Sequence, residues 1–107
     1  MSRPVTERSA DAGRASTIAQ EVARLARQIL GPEVEVIWFG SWPRKRALPH
    51  SDIDIAVSAD KPIPVSQMAL LREAVDGLST LYTVDILDLT EASPSLRQEI
   101  LKHGVRL

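Results

Sequence analysis

Apolar residues recur at helical spacing in the first third of the chain. Four of them follow one another at steps of four, three and four residues: Ile18, Val22, Leu25 and Ile29. This spacing places them on one face of a helix, and Gly31-Pro32 stops the pattern, so the sequence predicts a helix over residues 16–30. Gly13 and mixed charges weaken the signal upstream, and residues 1–15 are expected either to fray or to extend this helix.

Further along the chain, short runs rich in Val and Ile are bounded by Pro, Gly and polar residues. They predict three strands, at residues 34–39, 52–58 and 82–89. Helical spacing predicts two more helices, one over residues 66–80 and a short one from Ser93-Pro94 to about Gly104. A strand, helix, strand sequence favours a right-handed crossover. The predicted fold class is therefore α/β (α+β), a small mixed β-sheet with helices packed on one face.

Length and composition narrow the class of protein. The chain has 107 residues, which predicts a single domain over residues 1–107. No apolar run approaches the ~18 residues that span a bilayer, and the N-terminus lacks the apolar core of a secretory signal, so we expect a cytoplasmic protein without a membrane partner. A net charge of −1 argues against direct nucleic-acid binding. The chain has no cysteine, so a metal would need oxygen or histidine ligands.

The strand predicted at residues 52–58 carries acidic residues in an apolar setting. Because side chains alternate along a strand, Asp52 and Asp54 point to the same face, where their charges repel. One interpretation is that the basic residues at 44–46 pair with them, or that this face is hydrated. The other is that they bind a divalent cation such as magnesium, which prefers oxygen ligands. Asp85 would add a third carboxylate if the next strand is adjacent, and such a trio suggests a two-metal site for phosphoryl or nucleotidyl transfer.

A Gly-Ser pair, Gly40-Ser41, lies at the end of the first predicted strand, and ten residues separate it from Asp52. Glycine there would let the backbone approach a phosphate, and a helical turn after it would present free N–H groups. For the dipeptide alone, a plain turn is the commoner use. Other motifs are excluded, because the chain has no P-loop and because Ala56 and Val57 stand where a calcium-binding EF-hand needs a polar residue and glycine.

In combination, Gly40-Ser41, Asp52-x-Asp54 and the strand that bears Asp85 resemble the signature of the DNA polymerase beta-like nucleotidyltransferase superfamily. In particular the chain resembles the minimal nucleotidyltransferase (MNT) domains, which are often paired with a HEPN-domain protein as antitoxin and toxin. The segments VIWFGS, SDIDIAV, VDILDL and LRQEILKHGVRL occur in the order that such domains show. The resemblance therefore covers nearly the whole chain, and it implies the polymerase beta-like nucleotidyltransferase fold.

The resemblance also implies roles for six residues. Three would bind the nucleotide, namely Gly40, Ser41 and Arg44, and three would bind Mg²⁺ and serve catalysis, namely Asp52, Asp54 and Asp85. The last of these would also help to deprotonate the attacking hydroxyl. The implied reaction transfers AMP from ATP to a tyrosine hydroxyl of a partner HEPN ribonuclease toxin and releases pyrophosphate. This modification would silence the toxin.

One position departs from the family's pattern. Members commonly continue Gly-Ser with a small residue, an arginine and a second glycine, whereas this chain has Trp42-Pro43-Arg44-Lys45, so that a lysine replaces the glycine. This replacement motivates a second hypothesis, an MNT-like antitoxin that neutralises its partner by binding alone. Transfer of a nucleotide to a small molecule is disfavoured, because such enzymes need a second domain to hold the acceptor.

Three further residues are interpreted without a catalytic role. Trp42, in the loop beside the site, is expected to be exposed and available to a nucleotide or a partner. Asp88 lies three residues after Asp85, on the opposite face of a regular strand, and is expected to be a surface carboxylate. His50 is expected to be an exposed loop histidine.

Overall fold

The structure, a computed structural model, describes residues 3–48 and 51–107; His50 lies outside this range. Three helices and four strands follow one another in the order α1 (Arg3–Leu30), β1 (Glu35–Phe39), β2 (Ile53–Ser58), α2 (Val65–Asp76), β3 (Val84–Asp88), α3 (Pro94–His103) and β4 (Val105–Arg106). A turn of 3₁₀-helix at Leu89–Glu91 separates β3 from α3. Within the described residues, no helix combines the length and the apolar character needed to cross a bilayer.

The strands form one mixed sheet in the order β3-β2-β1-β4. β1 pairs antiparallel with β2 and with β4, whereas β2 pairs parallel with β3. Parallel neighbours need a long connection, and α2 supplies it. The predicted α/β class with a small mixed sheet is therefore confirmed.

The two faces of the sheet are covered by different helices. On one face, α1 and α2 pack over the buried residues Ile53, Ile55 and Val57 of β2. On the other face, Ile100 of α3 packs in a second cluster with Ala56. The expectation that all helices share one face is wrong for α3. The reason is that β2 has consecutive buried apolar residues, so both of its faces need cover.

The buried stripe of α1 is made mostly of alanine. Within residues 13–30 the fully buried residues are Ala15, Ala19, Val22, Ala23 and Ala26. The predicted residues Ile18, Leu25 and Ile29 are partly buried at the border of this stripe. Small side chains along the centre leave room for the helix to lie close to its neighbours, and the larger ones seal the sides. The helix begins at Arg3, so it extends far upstream of the predicted start.

The C-terminal elements follow local signals only in part. Ser93 caps α3 as predicted, because its hydroxyl accepts a hydrogen bond from the N–H of Leu96 at 3.3 Å, and Pro94 occupies the first turn. β4 was not predicted. Its two residues, Val105 and Arg106, pair with β1, and two residues are too few to show a period.

Candidate active site

Three segments of the chain meet at one end of the sheet. β1 ends there, and β2 and β3 begin there, because Phe39 pairs with Asp54 and Ile53 pairs with Val84. The turn after β1 and the residues at the start of β2 and β3 therefore lie at the same end of the sheet. The residues predicted from the sequence to form the site lie at this end.

The parallel register brings two of the predicted carboxylates together. Asp54 pairs directly with Asp85, and residues paired in this way point to the same face of the sheet. Asp52 lies just before β2, two residues upstream of Asp54. Burial, and then the charges of Asp85 and Asp52, raise the pKa of Asp54 to about 6 from its ordinary value of 3.8. The charges of Asp85 and Asp52 therefore both act on Asp54.

The nearby basic residues do not compensate these charges. Arg44 turns away to α3, where its Nη1 donates to Oε1 of Glu99 at 2.6 Å. Among the described residues, no ion pair joins residues 44–46 to Asp52, Asp54 or Asp85. The interpretation that pairing with these basic residues explains the acidic strand is therefore not supported.

The donor set suits a hard divalent cation. Its ligands are carboxylate oxygens alone, and burial together with the charges of Asp85 and Asp52 raises the pKa of Asp54. Across residues 3–48 and 51–107, no group of three or more His, Asp or Glu side chains is already gathered into a metal site. The chemistry of these residues fits such a cation.

Gly40 lies against the carboxylate of Asp54. Its φ of 86° is in a region that L side chains rarely adopt. A Cβ built at this position would overlap Oδ2 of Asp54. Only glycine therefore allows the backbone at the end of β1 to pass so close to the acidic strand.

The segment after Gly40 is a compact hydrogen-bonded turn. The carbonyl of Ser41 accepts from the N–H of Arg46 at 2.9 Å, and the carbonyl of Trp42 accepts from the N–H of Lys45 at 3.0 Å. A cavity of about 200 Å³ lies between this turn and α3, and its lining includes Gly40, Ser41 and Arg44. The three residues predicted to bind a nucleotide thus share one concave surface.

Lys45 has a φ of 58°, in the left-handed region. The resemblance places a glycine at this position, and the backbone geometry gives a physical reason for it, since glycine enters this region without strain. The lysine side chain is exposed, so packing does not offset the strain. The departure from the family's pattern therefore has an energetic cost in the turn itself.

Lys45→Gly is expected to raise the free energy of unfolding by roughly 1 kcal/mol, because it removes the left-handed strain at some cost in chain entropy. Lys45→Ala is the matched control, since it removes the same charge and keeps the strain. Urea unfolding of the wild type and both variants measures the difference. Equal stability of the Gly and Ala variants would contradict the assignment of the strain to residue 45.

The prediction that Trp42 is exposed is wrong. Its ring is partly buried, and the ring centroid lies 6.4 Å from that of Trp38 and 5.9 Å from that of Tyr82. Its Nε1 donates to the carbonyl of Ser51 at 3.0 Å. The turn after β1 folds the indole back onto the core under α1 and α2, and this direction cannot be inferred from a loop sequence.

The prediction that Asp88 is a surface carboxylate is also wrong. Only 7% of the residue is exposed. Its Oδ1 accepts hydrogen bonds from the N–H and the hydroxyl of Thr90, at 3.0 and 2.8 Å. Asp88 therefore caps the 3₁₀ turn at Leu89–Glu91, and an aspartate followed two residues later by threonine is the signal that could have identified it.

Comparison with known proteins identifies the family of nucleotidyltransferases to which this chain belongs. Residues 20–107 match the family model described as Polymerase beta, Nucleotidyltransferase, so the chain belongs to this family. It is also 30% identical over 81 residues to a Haemophilus influenzae protein named "Probable protein adenylyltransferase MntA", a match that covers 76% of this chain and 71% of the relative. The resemblance to minimal nucleotidyltransferase domains and the prediction that the chain is a nucleotidyltransferase are both confirmed.

Solved structures agree with this assignment. A protein classed as a minimal nucleotidyltransferase matches with a TM-score of 0.69 and 26% identity, over 90% of this chain and 95% of that one. A toxin–antitoxin structure with AMP-PNP matches with a TM-score of 0.60 and 28% identity, over 82% of this chain and 70% of that one. A tri-AMPylated Shewanella oneidensis HEPN toxin in complex with its MNT antitoxin matches with a TM-score of 0.57 and 26% identity, over 86% and 70% of the two chains.

Proposed function

We propose that this nucleotidyltransferase is an Mg²⁺-dependent antitoxin that transfers AMP from ATP to a tyrosine hydroxyl of a partner HEPN toxin and so neutralises it. The observation that carries the proposal is the register of Asp54 with Asp85, beside the close approach of Gly40. The similar H. influenzae protein is named as an adenylyltransferase, and the similar Shewanella oneidensis complex contains an AMPylated HEPN toxin. Both likenesses support AMP as the transferred group.

In this proposal, the triphosphate of ATP binds in the cavity between the turn and α3. Gly40 allows close approach of the backbone, Ser41 offers a hydroxyl donor, and Arg44 supplies positive charge at the rim. Arg44 uses one terminal nitrogen for Glu99, and the rest of its guanidinium retains donors for phosphate oxygens. The similar structure that holds AMP-PNP, an ATP analogue, supports ATP as the donor substrate.

Asp52, Asp54 and Asp85 would hold the Mg²⁺ ions of a two-metal site, which would neutralise charge on the phosphates. The tyrosine oxygen of the partner attacks the α-phosphorus, and the bond from this phosphorus to the bridging oxygen of the β-phosphate breaks. Pyrophosphate leaves, and the tyrosine proton passes to the carboxylate of Asp85. Asp85 suits this role because it is exposed and because β3 is at the edge of the sheet, where a second protein can reach it.

The acceptor in this scheme comes from outside the chain. We propose that residues 1–107 act as a single MNT domain in the cytoplasm, in a complex with the HEPN toxin and without direct contacts to nucleic acid or membrane. The turn and the three strand-end aspartates would form one wall of the site, and the toxin would supply the other.

A second candidate function is neutralisation by binding alone. It is favoured by the strained lysine at position 45, where the family's pattern has glycine, and by the engagement of Arg44 with Glu99. Both features would weaken nucleotide binding without affecting a protein interface elsewhere on the chain.

Intact-mass spectrometry separates the two candidates. The product of the neighbouring gene, the expected HEPN partner, is incubated with this chain, ATP and Mg²⁺, and the Asp52→Asn/Asp54→Asn double variant is the control. A mass gain in whole units of AMP that is absent from the control supports the transferase. An unchanged mass in a complex that remains intact supports neutralisation by contact.

A further inference from the structure

Trp42 contacts each of the three segments that meet at the candidate active site. It belongs to the turn after β1, and its ring is next to that of Trp38 on β1. Its Nε1–H donates to the carbonyl of Ser51, the residue before Asp52. Its ring also meets Tyr82 edge-on, at an interplanar angle of 81°, three residues before Asp85.

We propose that Trp42 is a positioning residue, which fixes the phosphate-binding turn relative to the carboxylates of β2 and β3. The inference rests on the proposed nucleotide transfer. Trp42 does not act by touching the substrate, because its ring packs in the core under α1 and α2, whereas Asp54 alternates with Ile53 and Ile55 and points to the opposite face. Trp42 instead acts on the backbone just before β2 and β3, through its contacts with Ser51 and Tyr82.

The partner of the indole N–H is itself fixed. The N–H of Ser51 donates to the carbonyl of Leu48 at 3.0 Å, and the hydroxyl of Ser51 accepts from the N–H of Leu48 at 2.8 Å. Two residues on, the N–H of Ile53 donates to the carbonyl of Thr83 at 2.9 Å, which ties β2 to the residue after Tyr82. The indole therefore connects the turn to a segment that is already linked to β3.

The expected consequence is on the chemical step rather than on ATP binding. Of the groups proposed to bind the triphosphate, Ser41 and Arg44 lie in the turn and Gly40 directly precedes it, so they keep their mutual arrangement when the link to Ser51 is lost. The carboxylates lie on the other side of that link. In-line transfer needs both sets in register, and displacements on the order of 1 Å at a reacting centre cost up to about a hundredfold in rate.

The test compares two Trp→Phe substitutions in the same aromatic cluster. Trp42→Phe keeps a ring and removes the N–H that bonds Ser51. Trp38→Phe is the matched control, because its Nε1 is buried and has no hydrogen-bond partner among the described residues. For each variant, kcat and the KM for ATP are measured in AMP transfer to the HEPN partner, and the free energy of unfolding is measured in urea.

Trp42→Phe is expected to lower kcat about tenfold, because loss of this partly buried hydrogen bond lets the turn shift relative to the carboxylates, with KM for ATP changed by less than about twofold. Trp38→Phe is expected to keep kcat within about twofold, even where its stability falls further, because it loses packing but no hydrogen bond. Should Trp42→Phe not fold, 3-benzothienylalanine at position 42 replaces the N–H by sulfur at nearly the same size, with the same expected loss of kcat.

Two results would overturn the inference while leaving the proposed function intact. One is that the wild type transfers AMP and that Trp42→Phe has the same kcat as the wild type. The other is a loss of kcat in both variants that follows their loss of stability, which would assign Trp42 a purely structural role. Absence of transfer by the wild type would instead overturn the proposed function, and this inference with it.

Discussion

Asp54→Asn is expected to lower AMP transfer to the HEPN partner by about a thousandfold, the scale of removing a charged group from a phosphoryl-transfer site. Asn keeps the shape of the side chain but carries no charge for a cation, and its neighbours Asp52 and Asp85 cannot replace it at the centre of the carboxylate group. The measurement is the initial rate of mass gain of the toxin at saturating ATP and Mg²⁺. Asp60→Asn is the control, because this exposed aspartate lies beyond the opposite end of β2.

The same substitution is expected to stabilise the fold near neutral pH. The pKa of Asp54 is raised from 3.8 to about 6 in the folded protein. The protonated carboxyl therefore favours folding, a contribution that is complete below about pH 3.8 and is lost as the pH rises through about 6. Asn stays neutral at every pH. The free energy of unfolding of Asp54→Asn should therefore rise relative to that of the wild type as the pH increases from about 3.8 to above 6, by roughly 1 to 2 kcal/mol after allowance for solvent screening.

Urea unfolding without Mg²⁺, at about pH 4 and about pH 7.5, measures that difference. A variant that loses transfer while gaining stability at the higher pH has lost a functional charge and not its fold. If Asp54→Asn is less stable than the wild type at both values, the raised pKa is not the dominant feature of this site. If transfer survives, the carboxylate is not part of the catalytic machinery.

The Asp-x-Asp strand was predictable because its information is local. Alternation along β2 sends Asp52 and Asp54 to one face whatever the strand pairs with. Asp85 required more, since only the order of strand, helix and strand suggested that β3 would be parallel to β2 and next to it. The exact pairing of Asp54 with Asp85 depends on how α2 closes the connection, and no short pattern encodes that register.

Predictions failed where small or isolated residues make tertiary contacts. The alanines of α1 carry little hydrophobic signal individually, so the sequence marked the isoleucine and leucine border of the stripe and not its centre. The burial of Trp42 follows from the conformation of the turn, which directs the indole back onto Trp38. α3 packs on the opposite face because Ile37 of β1 and Ala56 of β2 are buried there, and each of these residues is next to apolar residues of the first face, which hides the alternation.

Lys45 shows how the structure changes the meaning of a sequence difference. The sequence alone suggests only that a lysine, in place of the family's glycine, affects how closely a nucleotide approaches the backbone. The φ of 58° shows that this position needs a left-handed backbone before any ligand is considered. The substitution therefore bears on the strain in the turn as well as on its charge, and the two effects separate in the Gly and Ala variants of this residue.

Gly40→Ala is expected to destabilise the protein by about 2 to 4 kcal/mol, the sum of left-handed strain and an overlap in a packed site. It should also lower AMP transfer by about a hundredfold, on the scale of a displacement near 1 Å at a reacting centre. The φ of 86° disfavours any side chain, and the added Cβ would overlap Oδ2 of Asp54, so the turn and the carboxylate would have to separate. Unfolding in urea and toxin modification by mass spectrometry measure the two effects.

Gly31→Ala is the matched control for the backbone contribution. Gly31 has a φ of 115°, and a Cβ there meets nothing within 4 Å, so its substitution adds strain without an overlap. It is expected to cost about 1 kcal/mol and to leave transfer unchanged. Equal losses of stability in the two variants, with transfer retained in Gly40→Ala, would mean that the contact with Asp54 relaxes freely. Unequal losses, with transfer lost only at position 40, would establish that close approach of the turn to the acidic strand is what the glycine provides.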